Sequence, residues 1–433
     1  MSDDKSTPVE VLDPEEKFVE VGLTGLDIQG GQVYEEFLPD LKGDKGRKVF
    51  REMRDNDPVV GAMLFVIENL VRHVTWSVSP GGASPQDRQA ADFLTSCMSD
   101  LSAPWSEFIA EVLSMLPFGW AYHEVVYKMR GGQTEDSKTR SRFSDGLIGW
   151  RKMPIRAQET LDRWDFDEGG GVRAMIQAPP TGGGTRRIPI EKALLFRTSA
   201  HKNNPEGRSV LRNAYVPWYY KNRVQKIEAI GLERDLAGIP LIGVPPELLA
   251  KNATPAQKES LEAFKTLGKN VRRDEQHSII FPLAFDDNGN QLYKFELAGP
   301  TRIKQFNTDT IIERYNKDIA IVGLADFILL GHEKVGSLAL ASSKTHLFAV
   351  AIGSYLDSIR DVLNSHAVPK LLAFNPGLTG ELPAFVHGDI ETPDLKDLAE
   401  YISKLAGVGA LELDQELEAH LRRVGNLPEK TSE

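Results

Sequence analysis

The chain has 433 residues, 41% hydrophobic and 26% charged, with one cysteine, Cys97, and a formal net charge of −11. That length buries a substantial core and divides into more than one module, and a lone cysteine excludes an internal disulfide framework and points to a reducing compartment. The longest apolar run, Val59 to Ile67, is too short to span a bilayer, and the acidic start Met1-Ser-Asp-Asp lacks the features of a signal peptide, so no membrane association is expected.

The acidity is concentrated at one end. Residues 1–40 hold eleven acidic and two basic side chains, and the remaining 393 hold 51 acidic and 49 basic ones. Residues 1–44 therefore read as an acidic arm, mobile or laid along a partner. The rest is nearly neutral, without the basic surplus of a protein that grips nucleic acid in solution.

In chain order, Lys45 to Arg54 reads as a short basic helix. Asp57-Pro58 is a favoured cap and first-turn pair for a second helix, and Val59 to Val71 is apolar nearly all round, which predicts a buried helix. Thr75 to Ser79 alternates like a strand. Helices are predicted over Gln86 to Met98 and Trp105 to Leu116, then a half-buried strand over Ala121 to Met129. Arg130 to Ser144 is glycine-rich and charged, the composition of an exposed loop. Short strands follow at Leu147 to Met153, Thr160 to Asp165, Val172 to Gln177, Arg187 to Ile190 and Ala193 to Phe196. Helices first and strands next, without regular alternation, indicate an α+β fold.

Pro205 to Pro240 has a different grammar. Ser209 is a candidate N-cap for a long helix beginning at Val210, with Pro217 expected to kink it and Gly238 and Pro240 to stop it. Tyr220, Val224, Ile227 and Gly231 mark one face, and Lys221, Asn222, Lys226, Glu228 and Glu233 the opposite one. A second long helix over Arg302 to Leu324 carries the stripe Ile312, Tyr315, Ile319 and Val322. Between the two, Thr254 to Leu267 reads as a helix, and Ser278 to Phe285 with Gln291 to Leu297 as a hairpin turning at Asp287-Asn-Gly289. Paired amphipathic rods bracketing a compact insert suggest a pillar with a small module at its tip, its narrow apolar stripes suited to packing against neighbouring helices.

Beyond Leu324, Phe327 to Ser337 is a glycine-punctuated loop. A long helix is predicted from about Ala339 to Leu363 on the stripe Phe348, Ile352, Tyr355, Ile359 and Val362, ended by Pro369. Two short helices close the chain, with stripes Leu395, Leu398, Ile402, Leu405 and Leu413, Leu417, Leu421, Val424.

Four stretches together carry a family resemblance: Met53-Arg-Asp-Asn-Asp-Pro-Val-Val-Gly-Ala-Met to Trp76-Ser-Val, Phe118-Gly-Trp-Ala-Tyr-His-Glu-Val-Val-Tyr, Asn204-Pro-Glu-Gly-Arg-Ser-Val-Leu-Arg and Glu233-Arg-Asp-Leu-Ala-Gly-Ile-Pro. In their order and spacing the chain resembles the portal proteins of tailed bacteriophages, in the Mu-like group, over about residues 45–425. The resemblance implies a portal fold: a wing (45–204), a stem of two helices (205–240 and 301–324) around a clip (241–300), a tunnel loop (325–345), a long helix returning to the wing (346–394) and a short helical crown and tail (395–433). It implies a ring, usually of twelve copies, at one capsid vertex, assembled in the host cytoplasm. Double-stranded DNA enters and leaves through it, and the partners are a packaging terminase, a head–tail adaptor, and the major capsid or scaffold protein. His332, Lys334 and Lys344 then stand near the channel, and Tyr220, Val224, Ile227, Ile312, Tyr315 and Ile319 serve stem and subunit packing. A near-neutral body suits passage, since each neutralised phosphate adds salt-dependent affinity that would hold DNA in place.

No catalytic, metal or cofactor motif stands against that reading. His123-Glu124 lacks the second histidine of a helical zinc signature, Leu267-Gly-Lys-Asn270 is no phosphate loop, and no Gly-x-Ser-x-Gly elbow occurs. Asp286-Asp-Asn-Gly-Asn290 lacks the ligand alternation of a calcium loop. Cys97 reads as core or inert surface, and Trp218-Tyr219-Tyr220 as packing. No enzyme activity or cofactor is expected. The alternatives are a metal-dependent nuclease using His123, Glu124 and nearby carboxylates, or a head-completion or adaptor protein that does not form the conduit.

Overall fold

A computed structural model describes residues 22–390 except 137, 238, 272–284, 286–293, 299–306 and 326–337, together with Ser403, Lys404, Glu418 and Arg422. The chain forms two compact units, one made by the chain up to Tyr215 and from Ile319 onward, the other by Val216–Asp318. The two C-terminal helices predicted over 395–424 lie almost wholly outside the described residues, as do the Asp287 turn and residues 327–337.

In the larger unit, β1 (Ile28–Gln29) and β2 (Gln32–Val33) form a small hairpin. Helix α1 (Gly43–Asn56) leads into α2 (Pro58–His73), and the Asp57 carboxylate accepts from the backbone N–H of Val59 at 2.9 Å and of Val60 at 3.2 Å. Two orphan donors of the first turn are thus satisfied where the sequence placed the cap. Only one face of α2, Val60, Met63, Ile67 and Val71, is buried, and Phe65 is 67% exposed, so the all-round burial expected from its composition does not occur. After β3 (Trp76–Ser79), α3 (Pro85–Ser99) opens with a capping box. Ser84 and Asp87 exchange side-chain-to-backbone bonds, and the other Asp87 oxygen accepts from Glu381 N–H at 2.7 Å.

Helices α4 (Trp105–Val112) and α5 (Met115–Phe118) replace the single predicted helix, and the strand expected over 121–129 is two, β4 (Trp120–Glu124) and β5 (Val126–Met129). Strands β6 (Ile148–Lys152), β7 (Ile155–Arg156), β8 (Leu161–Phe166), β9 (Val172–Gln177), β10 (Arg186–Pro189) and β11 (Ala193–Arg197) follow. Strand β4 lies between β11 and β7, and β8, β9 and β10 form an antiparallel meander. Trp120 and Tyr122 from β4 pack with Leu161 and Trp164 from β8, Met175 from β9 and Ile188 from β10. The Tyr122 hydroxyl donates to Ile188 O at 2.9 Å, so its one polar atom is satisfied inside that core.

Among its described residues the tract after β5 has no helix or strand, as predicted, but it is not a free loop. Asp100 gathers it: its oxygens accept from the Ser141 hydroxyl at 2.6 Å and Arg142 N–H at 2.9 Å, and Lys128 Nζ stands 3.0 Å away, both charges almost fully buried. Arg130 lies between the rings of Phe93 and Phe143. Cys97 is buried beside it, and burial pushes the thiol up to about 11, which leaves it an inert core residue.

The chain returns to this unit at the end of α9 (Thr308–Val322). Helix α10 (Leu338–Val362) buries Phe348, Ile352, Leu356 and Ile359. Pro369 does not end it. A π-turn over Leu363–Ala367 runs into α11 (Val368–Ala373), where the proline occupies the first turn and its missing N–H leaves no bond unmade. Strand β14 (Ala384–His387) then pairs antiparallel with β3.

The smaller unit holds most of α6 (Tyr215–Ala237), β12 (Ile239–Gly243), α7 (Pro246–Leu249), α8 (Pro255–Val271), β13 (Lys294–Ala298) and the first part of α9. Strand β13 pairs antiparallel with β12, with Leu241 opposite Glu296. The sequence had not placed β12. The residues from Ser278, expected to be the partner of β13 in a hairpin, lie outside the described residues apart from Phe285.

Candidate functional site: the root of the long helix

The sequence expected α6 to start at Val210 on a Ser209 cap. The Ser209 hydroxyl instead donates to Pro117 O at 2.6 Å while accepting from Leu211 N–H at 3.0 Å. Residues Arg212–Ala214 form a 3-10 turn and the α-helix begins at Tyr215. Pro217 therefore falls in the first turn, where a proline breaks no hydrogen bond, and the predicted kink has no cause.

Two glycines lock this root to the β4 side of the larger unit. Gly119 (φ 92°) ends α5, and Gly207 (φ 53°) lies in the turn before Arg208. A Cβ on Gly207 would stand 2.2 Å from Gly119 O, and one on Gly119 would stand 2.3 Å from Glu206 O, so both positions require glycine by conformation and by space. Val210 N–H donates to Leu116 O at 3.0 Å, and Thr198 N–H to Gly119 O at 3.0 Å, extending the contact into a backbone seam.

The acidic arm is the second tie. Glu36 receives Arg212 in a two-pronged pair at 2.5 and 2.9 Å, and the same guanidinium lies 5.0 Å from the Phe37 ring centre. The Tyr215 hydroxyl donates to Asp40 at 2.7 Å, and Lys202 reaches Glu35 at 3.0 Å. The Asp27 backbone N–H and then Lys202 hold the Glu35 carboxyl below the usual range, and Lys45 and Tyr215 do the same for Asp40. At least the stretch 22–41 is therefore a strap on its own subunit, cinched at the turn from which α6 departs. Beneath it a cavity of about 320 Å³ is lined by Glu35, Phe37, His201 and Glu206 among others. Burial pushes the Glu206 carboxyl up, and Trp164 Nε1 donates to it at 3.2 Å.

Of the residues singled out from sequence, His332 and Lys334 lie outside the described residues, and Lys344 lies in α10 with its side chain outside the description. Tyr220 and Ile227 are 49% and 63% exposed, and Val224 is half-buried. Ile312 and Tyr315 are half-buried, whereas Ile319 is fully buried in the larger unit and takes no part in a surface stripe. The polarity of α6 is inverted relative to a core helix. Lys221, on its polar face, is 3% exposed, and Glu228 accepts from the Thr308 hydroxyl of α9, while Tyr220, Ile227 and Ile230 face outward.

His123 and Glu124 do not converge on a site. His123 is buried between Phe108 and Phe196 with Nδ1 2.8 Å from Met153 O, and Glu124 pairs with Arg156. No cluster of three or more metal-binding side chains occurs among the described residues. What sequence reasoning missed is the strap. Its signal was a run of carboxylates at 35, 36 and 40 matched to His201, Lys202, Arg208 and Arg212 far along the chain.

The family model described as the portal protein of Mu bacteriophage matches residues 47–423. Among solved structures, the chain is similar to one in the virion of a native gene transfer agent particle. The TM-score is 0.50 at 13% identity, covering 89% of this chain and 94% of that chain, which shows a shared fold. Matches to the necks of the empty and native particles, computed with C6 and C12 symmetry, have TM-scores of 0.48 and 0.45 at 14% and 15% identity. They cover 89% of this chain and 95% and 94% of those chains.

Proposed function

This chain belongs to the family of portal proteins of Mu bacteriophage, and we propose that it acts as one subunit of a closed homo-oligomeric ring of twelve through which double-stranded DNA passes. A portal protein is a structural component of the virion, forming the channel at the head vertex. In our reading α6 and α9 are the stem, residues 241–300 the clip, residues 45–204 the wing, and 325–345 the tunnel loop with His332, Lys334 and Lys344. The motor that drives packaging is a separate terminase. The clip meets that terminase or the head–tail adaptor, and the wing meets the capsid or scaffold protein.

One observation carries this reading: the inverted polarity of α6. An isolated subunit gains nothing by exposing Tyr220, Ile227, Ile230 and Leu232 while burying Lys221. A ring of identical copies does, because each subunit presents this face to a different face of its neighbour and the rotation closes. Apolar area removed from water between copies contributes roughly 25 cal/mol per Å² before the losses of association. The body of the chain, with 51 acidic and 49 basic side chains, has no net excess of cations to arrest a sliding duplex. Ile227→Glu tests the reading: it leaves the subunit folded and prevents ring formation. A ring of unchanged mass in that variant contradicts the assignment of this face.

A further inference from the structure

A second recess of the larger unit has a chemistry that the portal reading does not use. Three elements meet there: the end of β11 at Arg197, the turn at Asn203, and the π-turn and first turn of α11 at His366 and Lys370. They enclose a cavity of about 180 Å³ whose remaining wall is apolar, from residues such as Val172 and Leu195. Two of the three elements are in uncommon backbone states. Asn203 has φ 57°, and the π-turn interrupts the junction of α10 and α11, a distortion found mostly where a side chain is being positioned.

The charges are unbalanced. No carboxylate lines the recess, and among the described residues Arg197, His366 and Lys370 have no ion-pair partner, although the exposed Glu191 stands near enough to Lys370 to favour its charge. Arg197 spends one terminal nitrogen on Asn203 Oδ1 at 3.0 Å and Asn204 O at 3.2 Å. Its Nε–H and other terminal nitrogen have no partner among the described residues. Lys370 Nζ donates to Ile190 O at 2.9 Å and Ala193 O at 3.1 Å, which leaves its third proton unused. His366 is pushed below the usual imidazole range by burial and then by Lys370 and Arg197, so near neutral pH it meets the two cations as an uncharged ring that still has one N–H to donate. Folding cations together at a half-buried site is unfavourable unless an anion offsets it.

We propose that this recess binds a phosphate-type oxyanion, with Arg197 supplying a fork of N–H donors, Lys370 a point charge and His366 a donor at the mouth. An arginine fork matches two oxygens of a phosphate, and each such charge-assisted bond is stronger than a neutral one. The group can arrive as free inorganic phosphate or as a phosphodiester of a nucleic-acid backbone.

The test is isothermal titration of the full-length protein with inorganic phosphate in a HEPES buffer of low chloride, beside His366→Gln and Lys370→Met. Wild type shows saturable binding at one site per subunit. His366→Gln, which alters the side chain at the mouth of the recess, weakens it about tenfold, the loss of one charge-assisted hydrogen bond, and Lys370→Met weakens it further. A short DNA duplex that displaces the phosphate identifies the backbone as the ligand, and a duplex that leaves the phosphate bound identifies the free ion. Absence of saturable phosphate binding in wild type overturns the proposal. So does unchanged affinity in His366→Gln with a wild-type circular dichroism spectrum, which means an adventitious ion only. Ring assembly is read separately by mass, so failure here leaves the portal reading untouched.

Discussion

Gly119 and Gly207 meet backbone to backbone, each in a left-handed conformation, each with the space for its missing Cβ filled by a carbonyl oxygen of the other segment. They come from two of the four stretches, Phe118-Gly-Trp and Pro205-Glu-Gly-Arg, that together gave the sequence its family resemblance. Their shared pattern is thus a packing constraint at the point where α6 leaves the larger unit.

Gly207→Ala combines a left-handed non-glycine residue with an atom 2.2 Å from Gly119 O. The conformational cost is about 1–2 kcal/mol and the overpacking adds about 1–3. A fall in the urea midpoint equivalent to about 2–5 kcal/mol is expected. Gly231→Ala is the control: nothing lies within 4 Å of that Cβ and the site is inside α6, so a gain of about 0.5–1 kcal/mol is expected. Equal effects at the two glycines contradict the seam.

The strap makes a prediction about acid. Glu35 and Asp40 have carboxyls held below the ordinary values of 4.5 and 3.8. Their contribution is present above those values and is lost as pH falls through the lower folded ones. Limited proteolysis near residues 22–41 should accelerate as pH drops below about 4, and Arg212→Met should produce the same sensitivity at neutral pH. That substitution removes a partly buried two-pronged pair worth about 1–3 kcal/mol. Unchanged cleavage in Arg212→Met means that the strap is held by other contacts.

His123 is the opposite case in sign and cause. Burial pushes its pKa from 6.5 to about 4, so the folded state prefers the neutral ring. Stability from this group is full above pH 6.5 and declines as pH falls toward 4. Between pH 7 and 4.5 the wild type should lose about 2–3 kcal/mol more than His123→Phe, which keeps the ring between Phe108 and Phe196 but cannot charge. Parallel pH profiles from urea unfolding of the two proteins contradict this.

Leu324 closes α9 with Ala325 N–H on Ala320 O at 2.9 Å and its own N–H on Ile321 O at 3.0 Å, a Schellman arrangement whose left-handed position usually holds glycine. With φ 54° and 46% exposure, Leu324 is strained and buries little. Leu324→Gly should raise the thermal midpoint by the equivalent of about 1 kcal/mol. A decrease means that the leucine packing outweighs the backbone strain.

What was legible in the sequence was local. The Asp57 cap and the separate strands β8, β9 and β10 depend on neighbours within a few residues, and the pattern placed them. The start of α6 was misplaced because Ser209 had a distant competitor, Pro117 O, that local reading does not weigh. The strap was missed because Glu36 and Arg212 are 176 residues apart, and complementary charge at that range has no periodicity. The stripe of α6 was found, yet its direction was not: periodicity identifies a face but not which neighbour covers it. Lys221 inside and Ile227 outside are the structural answer.

The central claim is that the outward apolar face of α6 belongs to the next copy in a ring. Native mass spectrometry of the purified full-length protein beside Ile227→Glu tests it most directly. The account predicts a large homo-oligomer for wild type and a folded monomer for the variant. A wild type that remains monomeric at every concentration, or a variant that assembles to the same mass, contradicts it.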